Sequence, residues 1–254
     1  MTIDVVDLRE FYATPLGLRA QASMARAVAK YGGLSPETAD IAIVGIGYPL
    51  PLFDSPLVNT SGPIALMPMR QGAIRWPLKE PCRTALVDEN ELPLETASVE
   101  CVILLHLLEN VSDPAAMLDE VWRVLVPEGR LILIATNRRG LWARFEHTPF
   151  GNGRPFSKGQ LSRLLRKAKL TPARWGDCLN FPPVRINRMM KLYPYLEKIA
   201  HRVWPVFCGA YVVTATKRLY QGVPTGAKER KRVGVPVLSP QSARMPRDVT
   251  QTRK

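Results

Sequence analysis

Along the first 216 residues of this 254-residue chain, short apolar runs alternate with stretches in which apolar residues recur every three or four positions. The runs at 41–44, 64–67, 84–87, 101–105 and 130–136 are apolar at successive positions, so both faces of each strand are predicted to be covered. Strands of that kind belong to a parallel sheet with helices on either side. The helical stretches fall around them. Residues 18–31, LRAQASMARAVAKY, have the helical period and stop at Gly32 and Gly33. Residues 113–125 predict the clearest helix: Asp113 can cap it, Pro114 suits its first turn, and Met117, Leu118, Val121, Val124 and Leu125 share one face. Pro127 to Gly129 is expected to end it. Residues 157–169 repeat the pattern from a serine cap, with Leu161, Leu164 and Leu165 inward and Arg163, Arg166, Lys167 and Lys169 outward.

The run at 210–216 is expected to return to the sheet after a proline-marked helical insertion at about 181–205, which includes a basic amphipathic helix around 185–202. From residue 221 onward prolines, glycines and charges predominate without any period, which predicts a disordered tail. The expected organisation is one domain over 1–220, with an N-terminal helical segment at 1–33, followed by a basic tail at 221–254.

Composition adds little to the fold but changes the reading of partners. Hydrophobic residues make up 46% and charged residues 22% of the chain, the balance of an ordinary folded domain. The net charge of +13 suggests nucleic acid until it is divided along the chain. From Lys217 to the end, ten Lys and Arg face two acids, Glu229 and Asp248, so residues 217–254 carry +8 and the preceding 216 residues only +5. Nucleic-acid contact is therefore possible through the tail, without implied specificity. The four cysteines, Cys82, Cys101, Cys178 and Cys208, lie far apart with no CxxC pair, which points to reduced thiols in the cytoplasm and to no metal site. The N-terminus has acids where a secretory signal has lysines, and the apolar run at 203–215 is too short to span a bilayer.

Candidate chemistry begins in IAIVGIGYPLPLF, residues 41–53, where a buried strand runs into Gly45 and Gly47. Glycines in such a turn remove side chains where a ligand must approach the backbone. A Gly-x-Gly of this kind also serves as a tight strand-to-helix turn without any ligand.

A longer text decides more. Asp88-Glu89 leads to Leu92-Pro93-Leu94, then to the strand Val99-Glu100-Cys101-Val102, the turn Leu108-Glu109-Asn110-Val111-Ser112-Asp113-Pro114, and Glu120-Val121-Trp122-Arg123-Val124-Leu125-Val126-Pro127-Glu128-Gly129. In order and spacing this block of about 50 residues resembles class I S-adenosylmethionine-dependent methyltransferases of the type 11 group. There an acid precedes Leu-Pro-Phe, a Leu-Glu-His-Val-x-Asp-Pro turn follows the next strand, and a helix ends in Glu-x-x-Arg-Val-Leu-x-Pro-Gly-Gly. The resemblance implies an α/β fold, a Rossmann-like, seven-stranded, mostly parallel sheet with helices on both faces. It implies S-adenosylmethionine as cofactor and methyl transfer to an unidentified acceptor. Asp88 stands where the family's acid accepts from the adenine amino group, the backbone N–H of Glu89 where one faces the adenine ring, and Gly45 and Gly47 where glycines face the methionine and ribose parts. The loop at 137–156, with the Met-Pro-x-x-Gln-Gly and His-x-Leu-Glu texts, is similar to a bacterial branch of that group.

The departures from the pattern are specific. Ile43 stands in place of an acid, Pro49 in place of the third glycine and without an N–H to donate, and no acid occurs from Ser55 to Lys79 where one usually grips the ribose. Gln71, just past the second strand, is one candidate for a neutral ribose partner, or else a surface glutamine in a turn. Each lost charge-assisted bond costs about 1.5–3 kcal/mol, so an alternative reading is a catalytically inactive binding or regulatory protein that keeps the fold. Displacement of a methyl group needs mainly alignment of donor and acceptor. His106 is a weak candidate for a general base, or a histidine bonded at a strand end, and Glu109 has similar standing. Arg138, Arg139, Arg144 and Arg154 in the 137–156 loop could meet an anionic acceptor or simply face water.

Overall fold

The computed structural model describes residues 3–34, 41–58, 62–183 and 208–218. Chain order there is α1 (Val5–Ala13), α2 (Pro15–Tyr31), β1 (Ile43–Gly47), α3 (Leu50–Phe53), β2 (Ile64–Pro68), β3 (Thr84–Val87), β4 (Val99–Leu105), α4 (Pro114–Val124), β5 (Leu125–Thr136), α5 (Lys158–Lys167), β6 (Leu170–Cys178) and β7 (Ala210–Lys217). Among the described residues the strands form one seven-stranded sheet in the order β3-β2-β1-β4-β5-β7-β6. β3, β2, β1, β4 and β5 run parallel, while β7 lies antiparallel to both β5 and β6.

The two faces follow from the alternation of side chains along each strand. Cys101, Ile103, Leu105, Ile132 and Ile134 point to the face covered by α1 and α2. Val102, Leu104, Leu131 and Leu133 point to the other, covered by α4 and α5. Capping fixes the helices locally. Asp113 accepts from the N–H groups of Ala115 and Ala116, and Ser157 and Gln160 form a capping box at the start of α5.

Several boundaries differ from the sequence reading, each for a physical reason. β1 runs from 43 to 47 rather than 41 to 44, because its ladder with β2 continues through Gly45 to Ile46 and its ladder with β4 continues through both glycines. β5 starts at Leu125, so Pro127 to Gly129 lies inside a twelve-residue strand, with Glu128 at a φ of 59°. α2 begins at Pro15 behind the cap of Thr14. The N-terminal segment holds two helices, and β6, with a register shift between Pro172 and Arg174, carries no run that the apolar pattern detects. The basic helix expected at 185–202 and the tail at 221–254 lie outside the described residues.

The connection from β2 to β3, residues 69–83, contains no helix. Leu86 on β3 therefore stays 52% exposed. Among the described residues no helix is long and apolar enough to cross a membrane.

Candidate functional site

The order of the sheet reverses between β1 and β4, which leave their shared border in opposite directions. In open α/β sheets ligands bind beyond the carboxyl ends of the strands at such a point. The segments at that edge are Gly47-Tyr48 after β1, residues 69–72 after β2, 88–91 after β3, 106–110 after β4 and Asn137 after β5.

The two glycines singled out in the sequence do different work. Gly45 sits within β1, and a Cβ there would lie 2.4 Å from Cβ of Pro49 and 2.6 Å from Cζ of Phe53. Its missing side chain lets the α3 turn fold back onto the strand, so the space beside it is already filled by protein. Gly47 takes a φ of 96°, and a Cβ there would meet the Leu105 carbonyl oxygen at 2.2 Å. The next N–H, that of Tyr48, donates to the same oxygen at 2.8 Å. Only glycine allows the chain to cross the end of β4 this closely.

α1 lies over this edge. Its face of Val5, Leu8, Phe11 and Tyr12 is buried. The Val5 N–H donates to the Gln71 carbonyl at 2.8 Å, and the Phe11 ring meets Phe150 edge-on. Tyr12 stacks on Tyr48 with ring centroids 5.9 Å apart, and its hydroxyl lies 2.7 Å from Nε2 of His106. His106 ends β4 with a φ of 55°. Its carbonyl accepts from Nε2 of Gln71 at 3.4 Å and Nδ2 of Asn110 at 3.2 Å, which holds this unusual backbone position.

Burial sets the charge of these groups. It pushes the His106 imidazole down to about 3 and the Tyr12 phenol well above its usual value, with Tyr48 adding to the latter. The two therefore form a neutral pair, whose donor is set by the imidazole tautomer. An imidazole of such low proton affinity, already bonded to Tyr12, is suited to holding α1 in place rather than to collecting a proton. Glu109 accepts the Thr136 N–H at 2.6 Å, and burial raises its carboxyl. Among the described residues, Oε1 of Gln71 and Oε2 of Glu109 are buried without a hydrogen-bond partner. A buried acceptor left open is a place where a ligand donor fits.

The 88–91 loop is presented differently. Asp88 is exposed, and its Oδ1 accepts the Asn90 N–H at 2.8 Å, while Glu89 is buried. The residues that follow are clamped from α4. The Glu120 carboxylate accepts the Leu92 N–H at 2.9 Å, and Arg123 donates to the carbonyls of Leu92 and Leu94 at 3.1 and 2.9 Å. Glu120 and Arg123 pair with each other at 2.6 Å. The Glu-x-x-Arg spacing places both side chains on one helix face, so a single helix fixes the Leu-Pro-Leu turn just after the candidate adenine loop.

The 137–156 loop is ordered by two 3-10 turns, Trp142–Arg144 and Pro149–Gly151. Trp142 is fully buried and donates to the Phe181 carbonyl at 2.6 Å. Arg138, Arg139, Arg144 and Arg154 are all exposed. Among the described residues no cluster of His, Cys, Asp and Glu is arranged to hold a metal ion. The sequence reading did not single out Tyr12 or Tyr48, and it contained Glu120 and Arg123 only as part of the motif, without a role. The signal for Tyr12 was the spacing of Val5, Leu8, Phe11 and Tyr12 behind the capping Asp4.

Comparison with known proteins agrees with this fold. Residues 69–133 match the family model of the type 11 methyltransferase domain. An S-adenosylmethionine-dependent methyltransferase of Thermotoga maritima, described as a possible histamine N-methyltransferase, is 20% identical, with 84% of this chain and 96% of that one covered and a TM-score of 0.57. A putative methyltransferase of Haloferax volcanii, solved with the Trm112 activator, is 17% identical over 86% of this chain and 100% of that one, with a TM-score of 0.60. Geranyl diphosphate C-methyltransferase of Streptomyces coelicolor, solved with S-adenosyl-L-homocysteine, is 15% identical over 85% and 88% of the two chains, with a TM-score of 0.54. The sequence has no match among curated proteins.

Proposed function

We propose that the chain is a class I S-adenosylmethionine-dependent methyltransferase of the type 11 group, a reading supported by the domain match over residues 69–133 and by the fold, and that it transfers a methyl group to an acceptor held at the carboxyl edge of its sheet. The observation that carries the reading is the reversal of strand order between β1 and β4, with Tyr48, His106, Gln71 and the 88–91 loop gathered at that edge. S-adenosylmethionine, when bound, supplies an electrophilic methyl group on sulfur. Everything else in the step is alignment and exclusion of water by this chain.

In this reading Asp88 accepts from the adenine amino group and the Glu89 N–H faces the adenine ring. The open Oε1 of Gln71 accepts a ribose hydroxyl in place of the missing acid, a role supported by its burial without a partner. Gly47 sets the turn that brings Tyr48 to the edge, and Gly45 lets α3 pack beneath it. α1 is the roof, and the Tyr12–His106 bond its fastening. The departures at Ile43 and Pro49 then weaken the cofactor's hold without removing its place. Residues 1–220 constitute this domain and 221–254 a basic appendage.

Calorimetric titration of S-adenosylmethionine into the full chain tests the reading. Saturable binding, weakened at least tenfold by Asp88→Ala, supports it. No heat at millimolar ligand would instead leave an inactive protein that keeps only the fold.

A further inference from the structure

A cleft of about 660 Å³ opens beside the switch point, between α1, α2, the α3 turn and the helix-free β2–β3 connection. That volume is within the range of roughly 300–1,000 Å³ typical of small-molecule sites. One end of the cleft is formed by Tyr48, the residue directly after β1, and by Tyr12, whose hydroxyl is bonded to His106 at the end of β4. It therefore starts where the two reversing strands end.

Its chemistry has two parts. The walls are apolar and aromatic, and at the rim Leu18 and Leu78 leave 54% and 81% of their surface in water. Large apolar side chains left this open around a cavity mark a place where an apolar body is covered. Two guanidinium groups, Arg9 and Arg75, also line it. Arg9 is exposed and makes no hydrogen bond or ion pair among the described residues, and Arg75 donates one N–H to the Glu80 carbonyl at 3.3 Å. Asp54 is the one acid in the lining, and its carboxylate is engaged by the Trp76 indole N–H at 2.8 Å, which also fixes the aromatic wall. The cleft thus offers apolar contact along its length and an uncommitted positive charge.

We propose that this cleft is the acceptor pocket and that it takes an amphipathic anion, an apolar chain or ring carrying a carboxylate or a phosphate. The assignment rests on the reading that the cofactor lies at the adjoining edge. The acceptor's nucleophilic atom displaces the methyl group from sulfur: the carbon–sulfur bond breaks with its electron pair remaining on sulfur, a bond from methyl carbon to acceptor forms, and a proton on the nucleophile passes to solvent. Arg9 and Arg75 hold the anionic head, and the indole of Trp76 lies against the apolar body.

The test uses the full chain and four probes of equal length: octyl phosphate, octanoate, 1-octanol and octyltrimethylammonium, followed by calorimetry and tryptophan fluorescence. The expected result is that one or both anions bind at least tenfold more tightly than the alcohol, and that the cation does not bind. Comparison of the two anions tells phosphate from carboxylate recognition. The double variant Arg9→Ala, Arg75→Ala loses the preference for anions and keeps its affinity for octanol. An alcohol that binds as well as the anions, or a double variant that keeps the preference, overturns the proposal. The acceptor role further requires that the preferred anion and S-adenosylhomocysteine bind together, and mutual exclusion overturns it. Failure of S-adenosylmethionine to bind, with the anion preference intact and sensitive to the arginines, refutes the cofactor reading and the acceptor role while the anion site stands.

Discussion

The hydroxyl of Tyr12, on the first helix, lies 2.7 Å from Nε2 of His106 at the end of β4, and both groups are buried and neutral. This one bond ties a helix 94 residues away in sequence to the border between the two reversing strands. It also makes the roof sensitive to acid. The unfolded chain protonates His106 near its usual value of about 6.5, whereas the folded protein resists until about 3. The unfolded state therefore binds more protons in that window, and stability falls as pH drops through it. Between pH 7 and pH 5 the loss is about 2 kcal/mol, from roughly 1.4 kcal/mol per unit. Burial of Glu109 works in the opposite sense: its contribution is present below the ordinary carboxylate pKa and lost as pH rises. Because Glu109 is common to both proteins, urea unfolding of wild type and His106→Gln isolates the histidine, and the variant is expected to show the shallower loss. Parallel pH profiles would contradict a buried neutral imidazole.

Tyr12→Phe removes the hydroxyl while keeping the stack on Tyr48. The expected cost is about 1–3 kcal/mol, because His106 is left with an unpaired ring nitrogen in a dry site. Hydrogen exchange should then rise across α1 before it rises in β1 and β4, and uniform protection in both proteins would remove the fastening role.

The clamp from α4 makes a separate prediction. Arg123 holds Glu120 below the usual carboxylate range, so their pairing contributes fully above the ordinary glutamate pKa and is lost as pH falls through the depressed one. Arg123→Ala should cost about 2–3 kcal/mol, a value kept modest because a third of the arginine side chain is in water. It frees the carbonyls of Leu92 and Leu94 and so loosens the loop that begins at Asp88. Arg123→Lys should not restore stability, since an ammonium cannot reach both carbonyls and the carboxylate in one plane. Thermal unfolding of the two variants checks this, and full rescue by lysine would show that charge alone suffices.

The glycines of β1 can be told apart by substitution. Gly45→Ala pushes a methyl group against Pro49 and Phe53 and should cost about 1–3 kcal/mol through overpacking. Gly47→Ala meets a backbone oxygen and an unfavourable φ together, so its cost should be the larger. The reverse order in denaturant melts would mean that the β1 turn relaxes more easily than the α3 contact.

How much of this was legible in the sequence depends on how local each signal is. Asp113 and Ser157 announced their helices because a cap and the face behind it lie within a few residues of each other. The runs at 64–67, 84–87 and 101–105 stood out because both faces of those strands are apolar in the sequence. β1 was read as ending before its glycines, since a Gly-x-Gly looks like a turn until the ladders on either side carry it onward. β6 was missed because Pro172, Arg174 and Asp177 disguise an edge strand whose one paired neighbour among the described residues is β7. At the site, Asp88 and Gln71 could be named from the motif, but the position of Tyr12 over His106 and the filling of Gly45 by Pro49 and Phe53 arise from contacts that no spacing encodes. The clamp by Glu120 and Arg123 was visible as a motif, though its purpose was not.

The most direct measurement of the central claim is the calorimetric affinity of the full chain for S-adenosylmethionine beside that of Asp88→Ala, with melting curves to show that both are folded. Saturable binding by the wild type and at least a tenfold loss in the variant is the predicted result. Equal affinity in the two proteins, or no binding by either at millimolar ligand, would contradict it.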